Sequence, residues 1–360
     1  MFYKNKVIDY LEGLRLETDK IIEKYVPRKV SQEWLESIFK ESHYQYTPKA
    51  AQEVLVDPIW EFLDRGGKRW RPALFLLIVD ALNGDVDKLK DFSIIPELIH
   101  NGSLIIDDIE DKGELRRGKP ALHKIFGIDV ALNAGNFLYF LPLIVFKKHK
   151  HKFKPEILLN AYEIYVQEMI NIHFGQGTDI FWHKGKAENI NEKEYFQMCS
   201  FKTGCLSRMA AKFAVIFSGE DEEMIKEIGK VAEVMGIAFQ IQDDILDITL
   251  TGKEREKFGK SFGNDIKEGK RSLIVIHALK NAEHEDRKKL LEILNKHTED
   301  LNEIKQAIEI INKYNSVEYA KNVAQKIVKD AWKKADKLLP ESKAKERLNE
   351  FVDYLVERRG

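Results

Sequence analysis

The chain has 360 residues, 44% of them hydrophobic, and a formal net charge of −1. That length and apolar fraction supply a sizeable core, and the near-zero charge excludes a general electrostatic attraction to nucleic acid. Only nine prolines and few Gly or Ser/Thr runs exclude long disordered linkers. The two cysteines, Cys199 and Cys205, are six apart. On one helix their Cα atoms would lie roughly 9 Å apart, too far for a disulfide, so a reducing, cytoplasmic setting is expected. The N-terminal Met1-Phe2-Tyr3-Lys4-Asn5-Lys6 lacks the apolar core of a signal peptide.

Residues 1 to about 50 alternate polar and apolar groups in the manner of one or two amphipathic helices. Then comes Gly66-Gly67-Lys68-Arg69-Trp70-Arg71-Pro72. The paired glycines break a helix and allow close backbone approach, and Pro72 opens the next helix, Ala73 to Leu82. Asp91 to Ile106 is apolar around most of its circumference, as a buried helix is. It carries Glu97, His100 and Asn101 and runs into Asp107-Asp108-Ile109-Glu110-Asp111. Arg116-Arg117-Gly118 follows shortly after.

Ile128 to Phe146 is apolar enough to need a membrane check. Pro142 and two asparagines interrupt it, and a spanning helix wants about 20 apolar residues, so a buried core helix is expected. Another helix runs from about Glu156 to His173 and is expected to stop at Gly175-Gln176-Gly177. Tyr195 to Phe217 reads as a helix interrupted by Lys202-Thr203-Gly204. Asp221 to Asp247 is periodic and ends in a second cluster, Asp243-Asp244-Ile245-Leu246-Asp247. A charged, glycine-containing loop with Lys260, Gly263, Asp265, Gly269 and Lys270 comes next. From Ser272 onward apolar residues recur at three- and four-residue steps, for instance Ile304, Ile308 and Ile311. No convincing β-alternation is present. The expected fold is all-α: one multi-helix domain over residues 1–360, with a motif-bearing core at about 60–280 and amphipathic helices at 281–360.

Both acidic clusters read D-D-x-x-D and both follow apolar runs. Residues four apart share a helix face, so Asp107 projects with Asp111 and Asp243 with Asp247. Like charges stacked this way destabilise a helix. One such cluster is equally an ordinary solvated helix end; two, each abutting an apolar segment, point to a bound cation. Carboxylate ligands without histidine favour Mg²⁺ over zinc. Lys68, Arg71, Arg116, Arg117, Lys202 and Lys270 each lie beside a glycine or at a helix boundary. Arginine matches phosphate oxygens bidentately, and lysine adds a mobile point charge. Carboxylates, metal and cations on apolar helices together suit a substrate with a diphosphate at one end and hydrocarbon at the other.

From about Gly66 to Ser272 the chain resembles the trans-isoprenyl diphosphate synthases. The resemblance rests on Gly66 to Pro72, Leu104 to Gly118, Lys202-Thr203-Gly204, Phe239 to Asp247, and Gly263-Asn264-Asp265 to Gly269-Lys270. Asp107 to Asp111, Leu115-Arg116-Arg117 and Gly175 to Trp182 make it most similar to the eukaryotic-type geranylgeranyl diphosphate synthases. The resemblance implies two to three Mg²⁺ per active site, held on Asp107, Asp111 and Asp243, with Asp108, Asp244 and Asp247 completing the acidic walls. It implies an allylic diphosphate contacting Arg116, Lys202, Thr203, Gln240, Lys260 and Lys270. Isopentenyl diphosphate would be held by Lys68, Arg71, His100 and Arg117. The released diphosphate would take the final proton. Small residues at Gly102 and Ser103 would let the growing tail pass, and Tyr139 with Phe140 would form a floor giving a C20 product. A homodimer without nucleic-acid partner or transmembrane segment is also implied. Three departures stand out: a long charged loop from Thr251 to Gly259, Ile274 in place of a common proline, and Asn136 in place of Asp. The alternatives are the same chemistry with a C15 product or one of C25 or more, and a non-catalytic regulatory subunit. A terpene cyclase and a helical scaffold fit less well, since both acidic clusters and the basic residues are intact.

Overall fold

The computed structural model describes residues 2–40, 42–187, 189–250, 252 and 262–357. Lys260, the Thr251–Gly259 loop and the terminal Arg358-Arg359 lie outside these residues or largely so.

The main helices are α1 (Phe2–Tyr25), α2 (Gln32–Phe39), α3 (Asp57–Leu63), α4 (Trp70–Ala81), α5 (Ile94–Glu110), α6 (Ile128–Phe140), α7 (Pro155–Phe181), α8 (Glu192–Cys199), α9 (Cys205–Ser218), α10 (Glu222–Thr249), α11 (Leu273–Asn281), α12 (His284–Lys296), α13 (Leu301–Lys313), α14 (Ser316–Leu338) and α15 (Lys343–Glu357). The all-α expectation holds. Between α5 and α6 there is one small hairpin, β1 (Leu115–Arg116) with β2 (Lys119–Pro120), antiparallel, Arg116 opposite Lys119. Strands of two residues are too short to leave an alternation in the sequence.

At the centre α9 lies along α10, α14 lies along the other side of α10, and α4 packs between α9 and α15. α4 is buried from Trp70 to Ala81 except at Asp80, which explains its lack of a polar face. α9 stops at Gly219, whose φ of 87° gives a left-handed cap that costs a glycine little. The C-terminal periodicity finds its core too: Leu290, Leu294, Ile304 and Ile311 are buried.

Glycines bring two helix pairs unusually close. A Cβ on Gly102 of α5 would sit 2.8 Å from the Gly135 carbonyl oxygen of α6, and one on Gly135 would sit 2.8 Å from Ile106 Cδ1. A Cβ on Gly236 of α10 would lie 2.8 Å from Gly204 Cα. Gly102 therefore marks a helix crossing and does not lie on a channel wall as the sequence suggested.

Ile128–Lys152 is long and apolar enough to cross a membrane by length and composition. In the fold it is broken at Leu141–Leu143, where Pro142 sits, and continues as a short helix, Ile144–His149. Ala131, Ala134, Leu138, Val145 and Phe146 are buried, whereas Leu132 and Phe140 are exposed.

Candidate active site

A cavity of about 380 Å³ opens between α4, α5, α7, α9 and α10. Its wall carries Lys68, Arg71, His100, Ser103, Asp107, Arg116, Arg117, Tyr139, Lys202, Thr203, Gln240, Asp243, Asp244 and Lys270. Residues scattered over 200 positions thus meet around one space. Gly102, Asp108, Asp111, Asp247 and Phe140 do not line it.

Asp107 and Asp111 share a face of α5, and each meets a lysine from elsewhere. Lys202 Nζ lies 3.3 Å from Asp107 Oδ1 and 2.5 Å from Asp179 Oδ2. Lys270 Nζ lies 3.3 Å from Asp111 Oδ2 and 2.6 Å from Glu268 Oε2. Burial disfavours the Asp107 charge, yet Lys202, Lys270 and Arg116 hold its carboxyl well below the usual range. Asp111 goes the other way: burial, with Asp107 and Glu268 nearby, pushes it up to about 7 despite Lys270. Asp108 turns behind the helix, where it is buried and accepts from Arg116 Nε at 2.8 Å. Its Oδ2 has no hydrogen-bond partner.

The second cluster is wired differently. Asp243 and Asp244 line the cavity. Asp244 accepts from Tyr195 Oη at 3.1 Å and from Gln240 Nε2 at 2.7 Å; Thr203 in turn donates to Gln240 Oε1 at 3.0 Å. Asp247 is fully buried and accepts from the backbone N–H of Asp265 at 3.0 Å. It pins the segment that leads to Lys270, so its place is beneath the acidic wall and not in it.

Lys202 and Thr203 stand on a π-helical turn, Ser200–Gly204, between α8 and α9. Such turns shift side chains out of helical register, often at functional sites. The turn presses on α7 at Gly175, where a Cβ would come within 2.3 Å of Lys202 N. This close approach is why glycine stands there. α7 accordingly runs through Gly175-Gln176-Gly177 to Phe181 and does not stop as expected. Behind the turn Arg208 links Glu168 (Nε to Oε1, 2.7 Å), Glu233 (Nη1 to Oε2, 2.6 Å) and Ser200 (3.2 Å).

The opposite wall is cationic. Arg71 is buried, its guanidinium carbon 4.6 Å from the Trp70 ring, and its Nε has no hydrogen-bond partner. The hairpin turn holds Arg117 at φ 55° and Gly118 at φ 75°, the positive pair that a two-residue hairpin turn requires. Arg116, the last strand residue, reaches Asp107 and Asp108, while Arg117 in the turn reaches the Gly66 carbonyl and Asn101 Oδ1, the latter at 3.2 Å. Among the described residues Arg117 pairs with no carboxylate, and burial with Arg69 alongside pulls it down to about 10. His100 is kept neutral, far below its usual pKa, by burial and by Arg71 and Arg117. The nearest acid, Glu97, is engaged by Arg69 and Asn101, both at 3.0 Å.

The pattern that defines the polyprenyl synthetase family matches residues 52–311, which span this cavity. The chain belongs to that family. It is 34% identical over 343 residues to a short-chain isoprenyl diphosphate synthase of Methanothermobacter thermautotrophicus, covering 95% of this chain and 99% of that one. It is 33% identical over 330 residues to a geranylgeranyl pyrophosphate synthase of Geoglobus acetivorans, covering 92% and 96%. The crystal structure of a geranylgeranyl pyrophosphate synthetase from Pyrococcus horikoshii superposes with a TM-score of 0.83 at 31% identity, covering 99% of each chain. Like those relatives, this polyprenyl synthetase is a prenyltransferase that elongates prenyl chains.

Sequence reasoning missed several residues of this polyprenyl synthetase site. Gln176 donates to Asp107 Oδ1 at 3.1 Å and to Glu110 Oε2 at 2.7 Å, and Asp179 is the main partner of Lys202. Tyr195 and the Arg69–Glu97–Asn101 chain were noted in the sequence without a role in the site. Gln176 and Asp179, three apart on one helix, were the available signal.

Proposed function

We propose that this prenyltransferase condenses isopentenyl diphosphate head-to-tail with allylic diphosphates, with Mg²⁺, and that its product is geranylgeranyl diphosphate. The observation that carries this reading is a single cavity with acidic groups and lysines (Asp107, Asp243, Lys202, Lys270) on one wall and Arg71, Arg117 and His100 on the other.

The donor set suits Mg²⁺. Asp107, Asp111 and Asp243 offer hard oxygens, and Asp111, pushed up chiefly by burial and then by Asp107 and Glu268, is a carboxyl whose ionised form a bound cation would favour. Among the described residues no three His, Cys, Asp or Glu side chains close around one point. That matches an ion that takes one or two carboxylates and completes its shell with water and substrate phosphate. Two to three Mg²⁺ would be held by Asp107, Asp111 and Asp243. Bound there, Mg²⁺ supplies positive charge that stabilises a departing diphosphate.

The chain's own residues account for the remainder. Arg116, Lys202 and Lys270 place fixed cations where leaving-group charge builds, and Thr203 and Gln240 orient the same diphosphate. Leu104, Ile106, Ile172, Leu206 and Phe239 keep water from the allylic carbon as its bond breaks. Lys68, Arg71, Arg117 and neutral His100 bind the second diphosphate. The π-electrons of isopentenyl diphosphate then form the new carbon–carbon bond, and the released diphosphate takes the proton that is lost. Tyr139 limits the tail; Phe140, exposed on the far side of α6, does not.

Leu159, Val166, Ile170, Phe174 and Phe181 expose an apolar stripe along α7, and Leu132 and Phe140 of α6 are exposed as well. A second copy of the chain is proposed to cover it, making a homodimer. The buried free thiols of Cys199 and Cys205 support a cytoplasmic setting.

The test is incubation of purified protein with labelled isopentenyl diphosphate, farnesyl diphosphate and Mg²⁺, with the dephosphorylated products separated by length. A C20 alcohol that EDTA abolishes is expected. A longer product would discard the role of Tyr139, and activity insensitive to EDTA would discard the metal.

A further inference from the structure

The chain as a whole is balanced, with 58 basic against 59 acidic residues. Away from the active site one stretch departs from that balance. Lys147-Lys148-His149-Lys150-His151-Lys152-Phe153-Lys154 contains five lysines and no acid. All five lysines and His151 are exposed. Among the described residues none of the five forms an ion pair. Nearby carboxylates already have partners: Asp91 with Lys24 and with His149 of the stretch itself, Glu17 and Asp87 with Lys90. The crowding is physical, since partial burial and then Lys24 and Lys147 hold the Lys148 ammonium below its ordinary range.

The location is as telling as the charge. Phe92, just before α5, packs on Phe146 at 5.8 Å, His149 at 5.4 Å and Phe153 at 5.5 Å. The basic stretch therefore caps the end of α5 opposite Asp107–Asp111. With 17 residues in α5, that is about 25 Å from the acidic wall. Tyr139, one residue before the end of α6 that leads to the basic stretch, and Ile172 of α7 line the cavity, so the cavity runs from the aspartates toward this basic end.

We propose that residues 147–154 dock the enzyme on an anionic phospholipid bilayer, turning the hydrocarbon end of the cavity toward the lipid. The inference rests on the prenyl-elongation reading, because that reading gives the product a long tail directed this way. Clustered lysines beside an apolar body are the chemistry that phosphate headgroups attract, and the attraction is screened by salt. Nucleic acid fits less well: the stretch is short, carries no exposed aromatic for base stacking, and faces the tail end of a lipid-making site.

The experiment is co-sedimentation of the whole protein with vesicles of phosphatidylcholine, with and without phosphatidylglycerol. Binding is expected only with phosphatidylglycerol, and it should fall steeply as salt rises from about 0.05 to about 0.5 M. The variant Lys148→Ser/Lys150→Ser/Lys152→Ser/Lys154→Ser should bind at least about tenfold more weakly. Its elongation activity in vesicle-free buffer should equal that of the parent chain, which also shows that it folds. Equal binding to neutral vesicles, no binding at all, full binding by the variant, or efficient displacement of the vesicles by single-stranded RNA would each overturn the proposal. Sedimentation and product analysis are separate readouts, so a protein that binds vesicles without elongating would count against the enzymatic reading alone.

Discussion

The two acidic clusters share one spelling and differ in wiring. In the first, Asp107 and Asp111 stand together against Lys202 and Lys270 while Asp108 turns back to Arg116. In the second, Asp243 and Asp244 face the cavity while Asp247 anchors the Asp265 backbone. Each cluster gives up one carboxylate to hold its surroundings, but a different one: the middle residue in α5, the last in α10. Helical phase decides, because each helix meets the cavity at a different angle. A D-D-x-x-D motif therefore names three carboxylates without saying which of them line the cavity: Asp107 in the first cluster, Asp243 and Asp244 in the second.

Substitutions should separate these roles. The largest effect is expected from Asp243→Ala, which removes a proposed metal ligand: elongation should fall by at least about a thousandfold with thermal stability unchanged, measured by product formation and melting temperature. Asp247→Ala should invert that pattern. Loss of the acceptor for the Asp265 N–H should cost about 1–3 kcal/mol of stability, visible as a lowered melting temperature. A thousandfold loss of activity with no loss of stability would erase the distinction drawn here. On the cationic wall, Arg71→Met should raise the KM for isopentenyl diphosphate by at least about tenfold and leave that for the allylic substrate within a few-fold. Equal rises in both would merge the two diphosphate sites. The smallest effects concern product length: Tyr139→Ala should add products longer than C20, whereas Phe140→Ala should leave the distribution unchanged. Lengthening by Phe140→Ala would show that the exposed face of α6 reaches the cavity once the proposed second copy covers it.

Much of this was legible in the sequence because it depends on local spacing. The four-residue step from Asp107 to Asp111 fixes a shared face on any helix, and the basic residues beside glycines marked the loops that close on it. Glycine was the ambiguous letter. Gly175 looked like a helix stop and Gly102 like a gap for the substrate; both are places where two backbones touch, which depends on a partner far away in the chain. Neighbours on a helix also point about 100° apart, so Tyr139 and Phe140 were never able to share one wall. Gln176 and Tyr195 received no role because an uncharged donor carries no sign of its function until its acceptor is known.

The contact at Gly175 bears on how reproducibly a charge can be delivered. A lysine side chain has four rotatable bonds, and its ammonium wanders in proportion to the freedom of its root. Here the root is a backbone nitrogen pressed against another helix with no room for one carbon atom. All positional variance of the Lys202 charge then comes from its side chain, whose tip is tied to Asp179 and Asp107. Even a methyl group at residue 175 would move the origin of that charge and leave its chemistry intact. The smallest residue in the site thus sets the precision of one of its cations.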